Sequence, residues 1–294
     1  MSRLKKIARH ALNESPAYRI CRQKDLARLL RLEERELKTL IDEPTYSVKD
    51  ITTAKGKTRH TETPVKRLRS AHERLTRLLM QIEPPEYLYC PVKARSQIDN
   101  AARHRGARMV WTLDLKDYFP STPSRRVYWF FNTVMKCTTD VSAVIAKLAT
   151  REGHLPTGSP LSPILAYYSF YDMWNALAQV ARENGCTITV YMDDITVSGS
   201  SVSGELTWRI KQGIHSAGLR YHKERTFVDE PALITGVIVD GEKLLLPYQQ
   251  HLKAHDTRQL LSKAESDIDI NRLNNRLRGL SGHRNQIRLA AVRT

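Results

Sequence analysis

The stretch CTITVYMDDITVS, residues 186–198, constrains this chain more than any other part of it. Two runs of β-branched and aromatic residues flank an adjacent pair of acids, Asp193 and Asp194. Such runs favour pleated strands and the polar break between them favours a turn, so the segment predicts a hairpin with carboxylates at its tip. A second strand-like run, Met-Val-Trp-Thr-Leu-Asp, ends at Asp114. By itself a strand-end Asp means little, and an Asp-Asp turn is ordinarily solvated. Antiparallel pairing of the two segments would gather all three acids. That grouping is what two-metal phosphoryl transfer needs, since the carboxylates must hold two Mg²⁺ ions roughly 4 Å apart.

Charge points the same way. The 294 residues include 47 Lys and Arg against 31 Asp and Glu, a formal net charge of +16. An excess of that size suits a polyanion, with nucleic acid the first choice and a membrane surface the weaker one. The chain has no apolar run of about 18 residues, and its N-terminus lacks the apolar core of a secretory signal, so a cytoplasmic protein with no membrane partner is expected. Cys21, Cys90, Cys137 and Cys186 are scattered without zinc-site spacing. They read as buried thiols.

No repeat, low-complexity tract or linker interrupts the sequence, which predicts one continuous body. Residues 16–42 read as short helices. Residues 46–60 are β-rich and then basic, with Lys55-Gly56-Lys57 as a tight turn. From Pro64 a helix is expected, with Val65, Leu68, Ala71, Leu75, Leu78, Leu79 and Ile82 on one face, stopped by Pro84-Pro85. A helix over 161–180 opens on Pro160 and Pro163, and its aromatic residues read as core. A strand pair over 233–239 and 243–246 turns at Asp240-Gly241. The tail after Pro247 is helical and basic.

Three segments carry a family resemblance. Tyr191-Met192-Asp193-Asp194 resembles the active-site box of reverse transcriptases. Asp114-Leu115-Lys116-Asp117-Tyr118-Phe119-Pro120-Ser121 resembles their first catalytic motif, and Leu155-Pro156-Thr157-Gly158-Ser159-Pro160-Leu161-Ser162-Pro163 the loop between the two. Order and spacing also match the family. The resemblance implies an α+β right-hand polymerase fold. Fingers would take residues 1–89 and 123–160, palm 90–122 and 161–246, and a helical thumb or RNA-binding region 247–294. It implies RNA-directed DNA polymerase activity on deoxynucleoside triphosphates with two Mg²⁺ ions, Mn²⁺ being a substitute. Asp114, Asp193 and the backbone carbonyl of Leu115 would hold the metals, with Asp194 in support. Nucleotide contacts would come from Lys55, Arg59, Thr157, Gly158, Met192 and Arg225, and from Phe119 as an aromatic gate against a 2′-hydroxyl. Phe119 also reads as plain core.

Two further matches resemble the retron group. Asn100-Ala101-Ala102-Arg103-His104 matches its Asn-Ala-x-x-His motif, and Ile234-Thr235-Gly236 resembles its Val-Thr-Gly motif. They imply RNA contacts at Asn100, His104, Thr235 and Gly236, to which the basic tail would add Arg272, Arg276 and Arg278. An Asn and a His four apart on a helix also read as a hydrogen-bonded structural pair. The retron resemblance implies a structured non-coding RNA as template and primer, 2′-hydroxyl priming, a branched RNA–DNA product used in anti-phage defence, and a separate effector protein. Other bacterial reverse transcriptases of the defence or group II intron type are the neighbouring reading. A non-catalytic RNA-binding scaffold is the reading from another class. Two departures stand out: Thr157 where the family has Gln, which removes an amide near the nucleotide, and Met192 where retron enzymes more often have Ala. His222 and Arg225 stand where the family carries Asn and Lys, with Arg225 keeping the charge.

Overall fold

The computed structural model describes residues 8–52, 56 and 58–292. Two short helices, α1 (Gln23–Leu30) and α2 (Glu34–Asp42), bury Leu26, Leu30, Leu37 and Leu40, the spaced leucines of the N-terminal segment. A hairpin follows, β1 (Tyr46–Thr52) with β2 (Thr58–Pro64), registered from Tyr46 opposite Pro64 to Thr52 opposite Thr58. Of its expected turn, Lys55 and Lys57 lie outside the described residues. The helix α3 (Lys66–Leu79) buries Leu68, Ala71, Leu75, Leu78 and Leu79, the face expected from their spacing, and adds His72 to it.

The strands β3 (Leu88–Cys90), β4 (Met109–Leu115), β5 (Thr187–Tyr191), β6 (Asp194–Gly199) and β7 (Tyr221–Val228) form one sheet in the order β3-β5-β6-β4-β7. Every pairing is antiparallel except β3 with β5. Period-two alternation sends Trp111, Leu113, Leu115, Val190, Ile195 and Val197 into the main core. There they meet the helices α7 (Ser162–Ser169), α8 (Tyr171–Glu183) and α9 (Gly204–Ser216), with α5 (Ser124–Trp129) and α6 (Thr139–Ala149) further out in the same cluster.

The opposite sheet face has its own smaller core. Val110 packs there with Ile98 and Ala101 of α4 (Gln97–Ala102) and with Ala232, Ile234, Val237, Val239 and Leu244. The last five belong to a three-stranded sheet of β8 (Ala232–Ile234), β9 (Val237–Asp240) and β10 (Lys243–Leu245). Two terminal helices follow, α10 (Tyr248–Ser262) and α11 (Asp267–Val292), and Ile287 of α11 closes this second core.

Four sequence expectations change in detail. The single helix over 161–180 is two helices, because Phe170 leaves helical geometry at φ −118 and ψ 31 while its ring is fully buried. The break lets α7 bury nearly every residue and α8 only one face. The expected strand over 233–239 is two strands. Thr235 at φ 44 and Gly236 at φ 83 form a left-handed turn between them, which alternation alone does not reveal. The following hairpin closes one residue later than expected, with Asp240 opposite Lys243 and Gly241-Glu242 as its loop. Cys21 is exposed and Cys90 half-buried, so only Cys137 and Cys186 are buried thiols. Cys21 precedes α1, off its apolar face, and its thiol donates to the Arg19 carbonyl at 3.2 Å.

Phe130 has no exposed surface and stacks on Tyr168 at 4.7 Å while meeting Phe131 edge-on at 5.1 Å. Phe130→Ala should destabilise the fold by about 3–5 kcal/mol in urea unfolding. Trp208→Ala, at an exposed site on α9, should stay within about 0.5 kcal/mol of the parent.

Candidate active site

β4 lies between β6 and β7, and its register decides what meets at its end. Asp114 stands opposite Asp194 on β6 and opposite Lys223 on β7. Tyr191 pairs with Asp194, so the β5–β6 loop is Met192-Asp193 and Asp194 already belongs to the strand. Met192 sits at φ 63, a left-handed conformation that costs a side-chain-bearing residue and is held here by the closed hairpin. The Leu115 N–H donates to the Asp193 carbonyl at 2.9 Å, which ties the first motif to the acidic turn.

Asp193 and Asp194, half-buried and crowded together, resist ionisation. Burial pushes the Asp193 carboxyl up, with the Asp114 charge adding to it. Asp194 is pushed up to about 7, chiefly by burial and then by Asp193 and Asp114. Lys223 Nζ lies 2.7 Å from Asp114 Oδ2 and His222 Nε2 lies 3.5 Å from the same oxygen. Arg225 faces Thr112, one pleat further along, and Lys223 holds the carboxylate. Alternation along β7 could have found Lys223 once its partner strand was known.

Repelling carboxylates beside a backbone carbonyl are the hard oxygen donors a divalent cation takes, so the donor chemistry fits Mg²⁺ or Mn²⁺. Among the described residues no three metal-type side chains are drawn into a chelating cluster. Asp114 is engaged by Lys223 instead, and an ammonium and a cation would compete for the same oxygen.

Asp114 and Asp194 line a cleft of about 450 Å³ together with Gln97, Tyr191, Lys223, Arg225, Leu233, Thr235 and Gly236. Thr235 Oγ1 donates to the Gln97 carbonyl at 3.0 Å and accepts from Asn100 Nδ2 at 3.3 Å, so α4 fixes the left-handed turn at the cleft wall. Asn100 and His104 are each 1 % exposed, which corrects the expectation that they touch RNA themselves. His104 bonds Ser198 Oγ and Thr189 Oγ1, both at 2.7 Å, and burial lowers its pKa to about 3. It is a neutral internal strut between the end of α4 and the sheet, and with Asn100 bonded to Thr235 and His104 to Ser198 and Thr189 the two are not the hydrogen-bonded pair that their spacing suggests.

Phe119 is half-buried and stacks on the buried Tyr118 at 6.0 Å. Thr157 and Gly158 dock on β2. Thr157 Oγ1 donates to the His60 carbonyl at 2.9 Å and accepts from Glu62 N at 3.3 Å, and Gly158 N donates to the Glu62 carbonyl at 3.1 Å. A Cβ on Gly158 would fall 2.4 Å from Thr63 Oγ1, so only glycine permits this approach. Behind it, the Glu62 carboxylate, 3 % exposed, is bonded by Arg151 and lies 3.2 Å from His154 Nε2. His72 Nε2 donates to the Leu148 carbonyl at 2.8 Å, which leaves Nδ1 to accept from Ser159 Oγ at 2.8 Å. Sequence reasoning missed Lys223, Glu62 and His72, since none belongs to a motif. Arg59 stands on β2 opposite Ile51, and Lys55 and the Arg59 side chain lie outside what the structure describes. Arg272, Arg276 and Arg278 are exposed on α11, with Arg272 paired to Asp269 at 2.8 Å.

Comparison with known proteins gives a consistent result. The family described as "Reverse transcriptase (RNA-dependent DNA polymerase)" matches residues 49–228. Retron Se72 reverse transcriptase of Salmonella heidelberg is 26 % identical over 205 residues, covering 67 % of this chain and 53 % of that protein. Retron Ec86 reverse transcriptase of Escherichia coli is 29 % identical over 157 residues, 52 % of this chain and 49 % of that one. Retron Mx65 reverse transcriptase of Myxococcus xanthus is 31 % identical over 211 residues, 63 % and 49 % respectively. The chain thus spans about half the length of these curated relatives.

A carboxyl raised from 3.8 to about 7 adds stability that is fully present below about pH 4 and is lost as pH climbs through 7. Relative to Asp194→Asn, the parent should therefore lose thermal stability between pH 4 and pH 7 and stay level above it, measured without divalent cations. A constant difference in melting temperature across that window would show that Asp194 titrates normally.

Proposed function

The chain belongs to the reverse transcriptase family, and we propose from that premise that it is an RNA-directed DNA polymerase of the retron type. The observation that carries the reading is the strand register that sets Asp114 against Asp194 with Asp193 tied to Leu115. Asp114, Asp193 and the Leu115 carbonyl would hold two Mg²⁺ ions, with Asp194 in support and Mn²⁺ as a substitute. When bound, the ions lower the pKa of the attacking primer hydroxyl and offset charge on the leaving pyrophosphate. The chain's own residues position the reactants. Phe119 would lie against the sugar of the incoming deoxynucleotide, with Thr157, Gly158, Met192 and Arg225 around it and Lys55 and Arg59 toward the triphosphate. No side chain need serve as a strong base.

In this reading residues 1–89 and 123–160 are fingers, 90–122 and 161–246 palm, and 247–294 thumb. Thr235 and Gly236 at the cleft wall face the template–primer, and Arg272, Arg276 and Arg278 meet its backbone. On the resemblance of Asn100–His104 and Ile234–Gly236 to the retron motifs, the reading extends to a structured non-coding RNA as template and primer, priming from a 2′-hydroxyl, and a branched RNA–DNA product in anti-phage defence with a separate effector. Among the described residues no helix is long and apolar enough to cross a membrane. We place the protein in the cytoplasm.

Nucleic acid copurified with the protein from its host, treated with ribonuclease or deoxyribonuclease and run on a denaturing gel, tests the reading. A short defined DNA joined to RNA should be present for the parent and absent for Asp193→Ala/Asp194→Ala. Unbranched DNA would indicate another reverse transcriptase group, and RNA without DNA in either sample would indicate a scaffold. On an oligonucleotide template, the double substitution should reduce primer extension by on the order of 10³-fold or more. Phe119→Ala should raise ribonucleotide relative to deoxynucleotide incorporation by about 10-fold or more, read as the ratio of kcat/KM values.

A further inference from the structure

Away from the cleft, the segment before α1, α1 itself and α3 enclose an open cavity of about 680 Å³. Arg19, Arg22, Arg28 and Arg74 line it, together with the half-buried Tyr18. It shares no lining residue with the carboxylate cleft. Asp25 is the one acid among its lining residues, and it is divided between Arg22, at 2.9 Å, and Arg28, at 3.4 Å. Among the described residues Arg19 and Arg74 have no carboxylate partner.

Two further observations show that this charge is not incidental. Arg74 is lowered in pKa by burial and then by Arg31 and Arg77, and its Nε donates to the Leu29 carbonyl at 3.1 Å, so beyond Asp25 the crowded like charges of the cavity meet no carboxylate among the described residues. Arg19 and Arg31 adopt φ 55 and φ 60, the left-handed region. Arg31 occupies the C-cap of α1, its N–H donating to the Ala27 and Arg28 carbonyls, a position where glycine or asparagine is less strained. Placing arginine at both left-handed positions adds strain and repulsion within the free protein. An anion bound in the cavity would offset the repulsion.

We propose that this arginine-lined cavity is a second RNA-binding site, which grips the phosphodiester backbone of the RNA outside the polymerase cleft. Arginine rather than a point charge suits this ligand, because its planar fork donates two parallel hydrogen bonds to phosphate oxygens. Tyr18, with the Arg19 guanidinium 5.4 Å from its ring centre, adds an aromatic surface beside the charges. The inference rests on the reading that the partner is RNA, but not on catalysis.

The test uses the full chain carrying Asp193→Ala/Asp194→Ala, so that binding is read without turnover. A fluorescein-labelled RNA hairpin is titrated between about 50 and 200 mM salt. Arg19→Gln/Arg22→Gln/Arg28→Gln/Arg74→Gln should weaken binding at least about tenfold at the low-salt end and make the slope of log K against log salt shallower by about two to four. Arg22→Gln/Arg28→Gln changes exposed side chains only. It should keep the parental melting temperature and still lower the slope by about one to two. An unchanged slope in this folded double variant would overturn the proposal. So would competition by polyglutamate as effective as by unlabelled RNA, or a slope change seen with a DNA hairpin and not with RNA. If the protein with intact Asp193 and Asp194 fails to extend a primer while the slope difference persists, the polymerase reading falls and the RNA site stands.

Discussion

Asp114 and Asp194 face each other across the β4–β6 ladder, and the rest of the structure is arranged around keeping two mutually repelling acids in that place. A ladder is unforgiving, because a slip of one residue would turn every side chain of β4 to the other face. The slip is prevented by what lies beneath. Trp111, Leu113 and Leu115 are each about 1 % exposed, and a one-residue slip would turn all three out of the core. The core thus supplies the energy that sets the acids side by side, and burial combined with repulsion leaves Asp194 with a carboxyl that titrates near 7.

Both faces of this sheet are covered, by different means. The main core is mostly aliphatic and aromatic, with His72 buried beside it on two hydrogen bonds. Beside the smaller one, His104 bonds two hydroxyls of neighbouring strands, and Asn100 Nδ2 reaches Thr235 while its Oδ1 finds no partner among the described residues. Neutral, buried groups of this kind fix geometry at little electrostatic cost, since no charge is taken out of water. Their effect is transmitted to the cleft wall, where Thr235 and Gly236 hold a left-handed turn beside the acids.

The loop carrying Thr157 and Gly158 is held to the β1–β2 hairpin by backbone and hydroxyl bonds, with a buried carboxylate behind. Threonine in place of the family's glutamine thus has a use of its own: its hydroxyl bridges His60 and Glu62 across the junction. The buried Glu62, matched by Arg151 and His154, makes this junction hard to open, because separating either partner would strand a charge out of water.

Much of this was legible in the residues alone. Alternation and turn chemistry placed β4 and the β5–β6 hairpin, helical spacing placed α3, and the three acidic positions followed from their neighbours. Sequence also named Asn100, His104, Thr235 and Gly236 as belonging together, although as RNA contacts. What it did not decide is which side of the surface each residue is on. His104 is inside because two strands far away in sequence supply hydroxyls for both ring nitrogens, and Phe170 breaks its helix because a distant aromatic cluster takes its ring. Lys223 rather than Arg225 meets Asp114 because the β4–β7 register puts it there. Local propensity and periodicity act over a few residues and so are written in the sequence, whereas register, burial and the pairing of charges arise between segments a hundred residues or so apart and exist only once the chain has closed on itself.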